Sequence, residues 1–280
     1  MMLEEKFLSD LLDDIQHNRL ILPTLPEVAL KVRKVVDDPN ATAAQIAKVI
    51  AIDVALSARL IQVANSPMLR GLNVVNNLQS AIARLGNVLV RNLVTSLVME
   101  QQIHLARNPR LKARLMALWQ HSTQVAAISH VLAAHFTTLK PDEAMLGGLI
   151  HDIGTLPILM RAEKFPELMA DDAALDRIIT HLHTQVGKAI LEAWAFPEEL
   201  IAVVSGHEDL ERDKTPEADY ADVVMIANLQ SYICGSHRHS NPNWEHIPAL
   251  AKLGMSPEVS IVTMEETAED VQEVQRLLTS

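Results

Sequence analysis

Gly147-Gly148-Leu149-Ile150-His151-Asp152-Ile153-Gly154 closes an apolar helical pattern with a histidine, an aspartate and a glycine. Two polar side chains of metal-ligating type at such a place need an explanation. Adjacent His and Asp can both reach one divalent ion, because the short carboxylate and the longer imidazole converge from successive helical positions and such ions take mixed nitrogen and oxygen ligands. Taken alone, the pair reads equally well as a buried His-Asp hydrogen bond.

Composition narrows what can surround the pair. In 280 residues, hydrophobic side chains make up 49% while Phe, Trp and Tyr supply only 3%. The core must therefore be built from Leu, Ile, Val, Ala and Met, which favours helices over a β-rich domain. The length suits one large domain or two closely packed lobes. A net charge of -11 and the lack of any Lys/Arg run argue against a nucleic-acid partner. The single cysteine, Cys234, excludes an internal disulfide, suits a reducing compartment and reads as a small buried side chain. Met1-Met2-Leu3-Glu4-Glu5-Lys6 has acidic residues where a secretory leader would be basic, so a cytoplasmic location is expected. Val88 to Met99 is interrupted by Arg91 and Asn92 and falls short of the roughly 20 residues of a membrane span.

Outward from the His-Asp pair, the chain is a succession of helical patterns. Pro23 and Pro26 break an opening helix, and Pro26 suits the first turn of the next. After the turn Asp37-Asp38-Pro39-Asn40, Thr42 and Gln45 form a capping-box pattern that starts a helix near Ala43. Leu56, Leu60, Ile61 and Ala64 share a face in a helix ended by Asn65-Ser66-Pro67, and Asn65 is expected to hydrogen-bond backbone groups there. Gly86 stands where a left-handed cap is needed after Leu78 to Leu85, and Asn87 can cap the next helix. A long helix begins after Asn108-Pro109 and ends near Thr137 to Pro141. Further helices are expected over Glu143 to Leu149, Leu175 to Trp194, Glu198 to Gly206 and Ala218 to Tyr232, with an amphipathic one after Glu265. No alternating strand pattern of convincing length is present. The patterns divide into an N-terminal helical lobe, 1–110, and a second helical lobe, 111–280. Cys234, His237, His239 and His246 fit no regular zinc spacing and read as part of a solvated Ser/Asn/Pro-rich loop.

Other histidines give the pair a context: His121 after Trp119, His183 in His183-Thr184-Gln185-Val186-Gly187, and His207 in Gly206-His207-Glu208. The order Trp-x-His, His-Asp-Ile-Gly, His-x-x-Val-Gly and then a His after Phe-Pro-Glu-Glu resembles the HD phosphohydrolase superfamily, especially its HDOD branch. Leu22-Pro23-Thr24-Leu25-Pro26, Asp53-Val54-Ala55-Leu56-Ser57, Ala64-Asn65-Ser66 and Ala81-Ile82-Ala83-Arg84-Leu85-Gly86 resemble HDOD landmarks. The resemblance runs from about Leu20 to residue 275. It implies an all-α, HD-domain-like helical bundle with an N-terminal helical lobe. It also implies metal ligation by His121, His151 and Asp152, with His183 and His207 matching the additional histidines of dinuclear members. His181, two residues from His183, falls on a different helix face and is assigned to the surface.

Two departures count against catalysis. Where active relatives have Ala-Asp, this chain has Ala227-Asn228, and Thr155 stands where cyclic-dinucleotide-cleaving relatives have a lysine after His-Asp-Ile-Gly. The Gly-Tyr-Pro motif of those enzymes is missing after His207-Glu208. The resemblance therefore implies a bacterial signalling protein with a degenerate HD site, acting through a protein partner without turnover. The alternative is a metal-dependent phosphohydrolase acting on a nucleotide or other phosphate ester. The expected cofactor is one partly occupied transition ion, iron, manganese or zinc, with no nucleic-acid or membrane partner.

Overall fold

The computed structural model describes residues 6–7, 9–11, 13–14, 17, 27–38, 40–69, 74–232, 244–256 and 267–279. Among them there are helices and turns and no strand. The Leu22–Pro26 landmark, Cys234, His237 and His239 lie outside the described residues, as does the acidic pair Glu265-Glu266. The buried set is aliphatic, with Phe7 and Trp119 its only aromatic members among the described residues.

The chain folds as two compact units, residues 24–102 with 268–280, and residues 1–23 with 103–267. Sequence patterns divide the chain once, near residue 110, whereas these units exchange both chain ends. Local periodicity carries no information about where a terminal helix docks.

The smaller unit contains α1 (Glu27–Val36), α2 (Ala43–Ile50), α3 (Val54–Ala64), α4 (Leu78–Leu85), most of α5 (Asn87–Leu105) and α14 (Ala268–Thr279). Thr42 and Gln45 make the expected capping box at the start of α2. Gly86 ends α4 with φ 77°, a conformation that costs glycine nothing. Asn87 is already inside α5 rather than capping it. Val274, Leu277 and Leu278 are the buried face of α14, and Ser96 Oγ donates to the Leu278 carbonyl at 3.1 Å.

Asn65 performs the backbone role its position suggests. Its Nδ2 donates to the carbonyls of Ile61 at 3.0 Å and Val75 at 2.7 Å, and its Oδ1 accepts from Val75 N–H at 2.9 Å. One amide thus closes the end of α3 and ties down the backbone of Val75, ten residues later. Asn65→Ala should lower stability by about 1 kcal/mol or more, since Val75 would keep two unsatisfied backbone groups. Denaturation midpoints check this, and an unchanged midpoint would count against the structural role.

The larger unit is organised on α6 (Pro109–Phe136), a 28-residue helix capped by Asn108 with Pro109 in its first turn. It carries α7 (Pro141–Ile150), α8 (Thr155–Ala162), α9 (Pro166–Ala170), α10 (Asp172–Ala193), α11 (Glu198–Gly206), α12 (Tyr220–Ser231), a 3-10 turn at Trp244–His246, and α13 (Pro248–Lys252). Glycines set the closest approaches. A Cβ on Gly148 would lie 2.7 Å from Ala126 Cα, so α7 rests directly on the backbone of α6. Beyond α11, the Arg212 guanidinium is buried against Asp219 and Asp222, and Lys252 reaches Asp213 at 3.0 Å and Asp222 at 3.5 Å. This buried network fixes the segment that follows His207.

Candidate metal centre

Four helices of the larger unit deliver one histidine each. His121 projects from the middle of α6, His151 caps the C-terminus of α7, His183 sits in α10 and His207 caps α11. Asp152, in the turn after α7, stands among them. Its Oδ2 is 3.4 Å from His151 Nε2 and 3.8 Å from His121 Nε2. Its Oδ1 is 3.3 Å from His207 Nε2 and 3.4 Å from His183 Nε2. The five residues form two triads, His121–His151–Asp152 and Asp152–His183–His207, sharing one carboxylate. The structure brings all five sequence-predicted residues together, and His181 is exposed as expected.

The imidazoles are oriented before any ion arrives. His151 Nδ1 donates to the Gly148 carbonyl at 2.7 Å, His183 Nδ1 to Ile179 at 2.8 Å, and His207 Nδ1 to Val203 at 3.2 Å and Val204 at 3.1 Å. Backbone acceptors of this kind fix the tautomer and leave Nε2 as the ligand atom. His183 Nε2 and His207 Nε2 then face each other at 3.3 Å, two lone pairs that need a proton or a cation between them. His121 Nε2 and His151 Nε2 stand 3.2 Å apart. Two nitrogens each about 2.0–2.1 Å from a shared tetrahedral ion would be about 3.3–3.4 Å apart, so the spacing fits.

Charge supports the same reading. Burial alone would raise the Asp152 carboxyl, but the surrounding imidazoles of His151, His207 and His183 hold it well below the usual carboxylate range. Burial would lower His207, yet its hydrogen bond to Asp152 and the charges of Asp152 and Glu208 raise it. In the metal-free protein these interactions favour the protonated form of His207. Burial lowers His121, and it pushes His151 down to about 3.

The shift at His151 has a measurable consequence. An unfolded histidine takes up a proton near pH 6.5, whereas folded His151 stays neutral down to about pH 3. The unfolded chain therefore binds more protons in this interval, and the contribution of His151 to stability is full above about pH 6.5 and falls as the pH drops. Between pH 7.5 and pH 5 the loss is on the order of 2 kcal/mol. His207 works oppositely, its contribution being full below about pH 6.5 and lost as the pH rises through its raised pKa. Denaturation midpoints with chelator present should fall less between pH 7.5 and 5 in His151→Gln than in the wild type. Equal falls would refute the assignment.

Two neighbours complete the centre. Asn228, on α12, is 2% exposed, and its Oδ1 lies against His121 with no hydrogen-bond partner of normal geometry. A buried amide oxygen left without a partner is costly unless something fills the place. Tyr232, at the end of α12, stacks on His121 with ring centroids 4.9 Å apart and sets its hydroxyl 3.0 Å from Nε2. Tyr232 escaped the sequence reading. The one available signal was its i+4 spacing from Asn228, which puts both on one face of α12. The site residues fit a transition ion: four imidazoles, one carboxylate and an orphan amide oxygen.

An all-helical bundle with a shared His/Asp centre defines the HD-like class. A model of the HDOD domain matches residues 22–210, and the chain belongs to that family. A Shewanella amazonensis SB2B protein, named as a candidate metal-dependent phosphohydrolase, is 29% identical with a TM-score of 0.81, over 99% of this chain and 100% of that one. A Marinobacter aquaeolei VT8 protein, named as a candidate signal transduction protein, shares the fold at 17% identity and a TM-score of 0.67, over 99% of this chain and 66% of that one. Ribonuclease Y of Fervidobacterium nodosum is 34% identical over 133 residues, 48% of this chain and 21% of that protein. The chain spans less than half the length of the curated relatives it matches.

Proposed function

We propose that this chain is a metal-binding signalling module of the HDOD family that regulates a protein partner without hydrolysing a phosphate ester. The observation that carries this reading is Asn228: a neutral amide next to His121 where active relatives of the superfamily have a carboxylate. Two divalent ions set among four imidazoles would bring four positive charges against the single negative charge of Asp152. Such a centre holds an anion tightly in its ground state, and binding that is not strengthened in the transition state does not accelerate chemistry. Thr155, buried beside the centre, supplies no cation to steady a leaving phosphate. The nitrogen-rich ligand set favours iron or zinc over manganese.

In this reading the partner is a signalling protein in the cytoplasm, and the net charge of -11 disfavours nucleic acid. Among the described residues no helix is long and apolar enough to cross a membrane.

The second reading, a metal-dependent phosphohydrolase, draws on the shared Asp152 and on the name of the Shewanella relative. A bound ion would then act as a Lewis acid and lower the pKa of a water ligand. The experiment is paired: metal content and phosphoesterase activity are measured in the wild type and in Asn228→Asp after loading with iron, zinc or manganese. Expected are metal binding without turnover in the wild type, and metal affinity about tenfold or more higher with measurable hydrolysis in the variant. Robust wild-type hydrolysis, abolished by His151→Ala, would establish the enzyme instead.

A further inference from the structure

Given the metal-binding reading above, we infer that the Tyr232 hydroxyl competes with metal for His121, so that the two triads fill in a fixed order. Asp152, His183 and His207 take an ion first, and His121 and His151 take one second. In the triad that fills first, His183 Nε2 and His207 Nε2 are 3.3 Å apart, and Asp152 Oδ1 is 3.3 Å from His207 Nε2 and 3.4 Å from His183 Nε2. All three separations match the roughly 3.3–3.4 Å between ligand atoms of a tetrahedral ion held at about 2.0–2.1 Å. An ion there displaces the proton favoured on His207 and meets ligand atoms already at the right spacing.

The other triad is not ready in the same way. His121 Nε2 and His151 Nε2 are 3.2 Å apart, but Asp152 Oδ2 is 3.4 Å from His151 Nε2 and 3.8 Å from His121 Nε2. His151, His183 and His207 anchor Nδ1 on backbone carbonyls, and among the described residues His121 has no such anchor. Tyr232 holds its ring instead, stacked at 4.9 Å between centroids with the hydroxyl 3.0 Å from Nε2. The phenol O–H donates to the Nε2 lone pair, the same lone pair that an ion would take. The position of the hydroxyl is set by the helix behind it. Tyr232 ends α12, which is buried at every residue over 221–230 and tied at its start by the box of Asp219 and Asp222. An ion entering beside His121 therefore breaks a hydrogen bond that the other triad lacks, and draws His121 and Asp152 together. The chain thus has a one-ion state over a range of metal concentration, and Tyr232 sets the width of that range.

Cobalt(II) is a suitable probe, because its visible spectrum reports each binding step and its affinity is read by competition with a chromogenic chelator. The full chain is titrated as wild type, Tyr232→Phe, His121→Ala and His183→Ala, each first shown to be folded by circular dichroism. The wild type should bind in two steps separated by about tenfold or more in affinity. His121→Ala should lose the weaker step and His183→Ala the tighter one. Tyr232→Phe keeps the ring and removes the competitor, so it should tighten the weaker step alone by about two- to tenfold, the worth of one hydrogen bond. Lost packing could not raise affinity. Wild-type steps of equal affinity, or an unchanged or weakened second step in Tyr232→Phe, would overturn the role of Tyr232 while leaving the metal centre standing. So would a phenolate-to-iron charge-transfer band in the iron(III)-loaded wild type that Tyr232→Phe abolishes, since Tyr232 would then be a ligand. Failure of the wild type to bind cobalt at all would overturn the centre and the inference with it.

Discussion

Gly154→Ala should destabilise the larger unit by about 3 kcal/mol or more, among the largest effects any single methyl can have in this chain. A Cβ at this position would lie 1.9 Å from the His183 carbonyl oxygen and 2.6 Å from the Gly187 nitrogen. Both are backbone atoms, so no side chain can rotate away to make room. The turn after α7 and helix α10 would have to separate, and these two elements carry Asp152 and His183. Loss of stability and loss of the second triad should therefore occur together. Gly147→Ala is the control. Its Cβ would meet only side-chain carbons of Val224 and Val203, at 3.3 Å or more, which can shift. Denaturation midpoints of the two variants, measured side by side with chelator, should differ widely. Near-equal midpoints would show that the turn is not pinned as the structure shows it.

The same glycines explain how far the sequence could be read. Helices with strong local punctuation were legible: α2 from Thr42 and Gln45, α6 from Asn108 and Pro109, and α11 from Pro197 and Glu198 to Gly206. α8, α9 and α13 were not foreseen: α9 and α13 have five residues each, too few to show a period, and Pro157 sits inside the first turn of α8. The start of α12 moved to Tyr220, since Asp219 caps it in a box with Asp222. At the site, the residue types His121, His151, Asp152, His183 and His207 were legible through the family resemblance. The same resemblance grouped His121, His151 and Asp152 apart from His183 and His207, but that Asp152 faces both sets was not legible. Helical spacing says which side chains share a face, but the register of α10 against the turn after α7 is set by backbone contact at Gly154 and Gly187. No linear pattern encodes that contact. The expectation of one ion followed from the low negative charge of the ligand set, less than a dinuclear centre usually has.

That division makes Asp152→Asn the most damaging change for metal binding. Oδ2 of Asp152 serves His121 and His151 while Oδ1 serves His183 and His207, so one substitution removes the negative charge from both triads at once. Affinity for both ions should fall by about 100-fold or more, since a direct ligand is lost where even an outer neighbour costs 10- to 100-fold. His183→Ala or His121→Ala breaks only one triad and should leave one ion in place. The metal-free protein should suffer as well. Its Asp152 carboxyl is held well below the usual range, so its contribution to stability is present above about pH 3.8 and lost as the pH falls through the lowered pKa. At pH 7.5 the asparagine variant lacks this contribution, and His207 loses the counter-charge that raises it. Metal per chain after dialysis, measured by elemental analysis, separates the cases: none for Asp152→Asn, and one for each single-histidine variant against two for the saturated wild type. Retention of one tightly bound ion by Asp152→Asn would mean that the triads are independent and that the carboxylate does not bridge them.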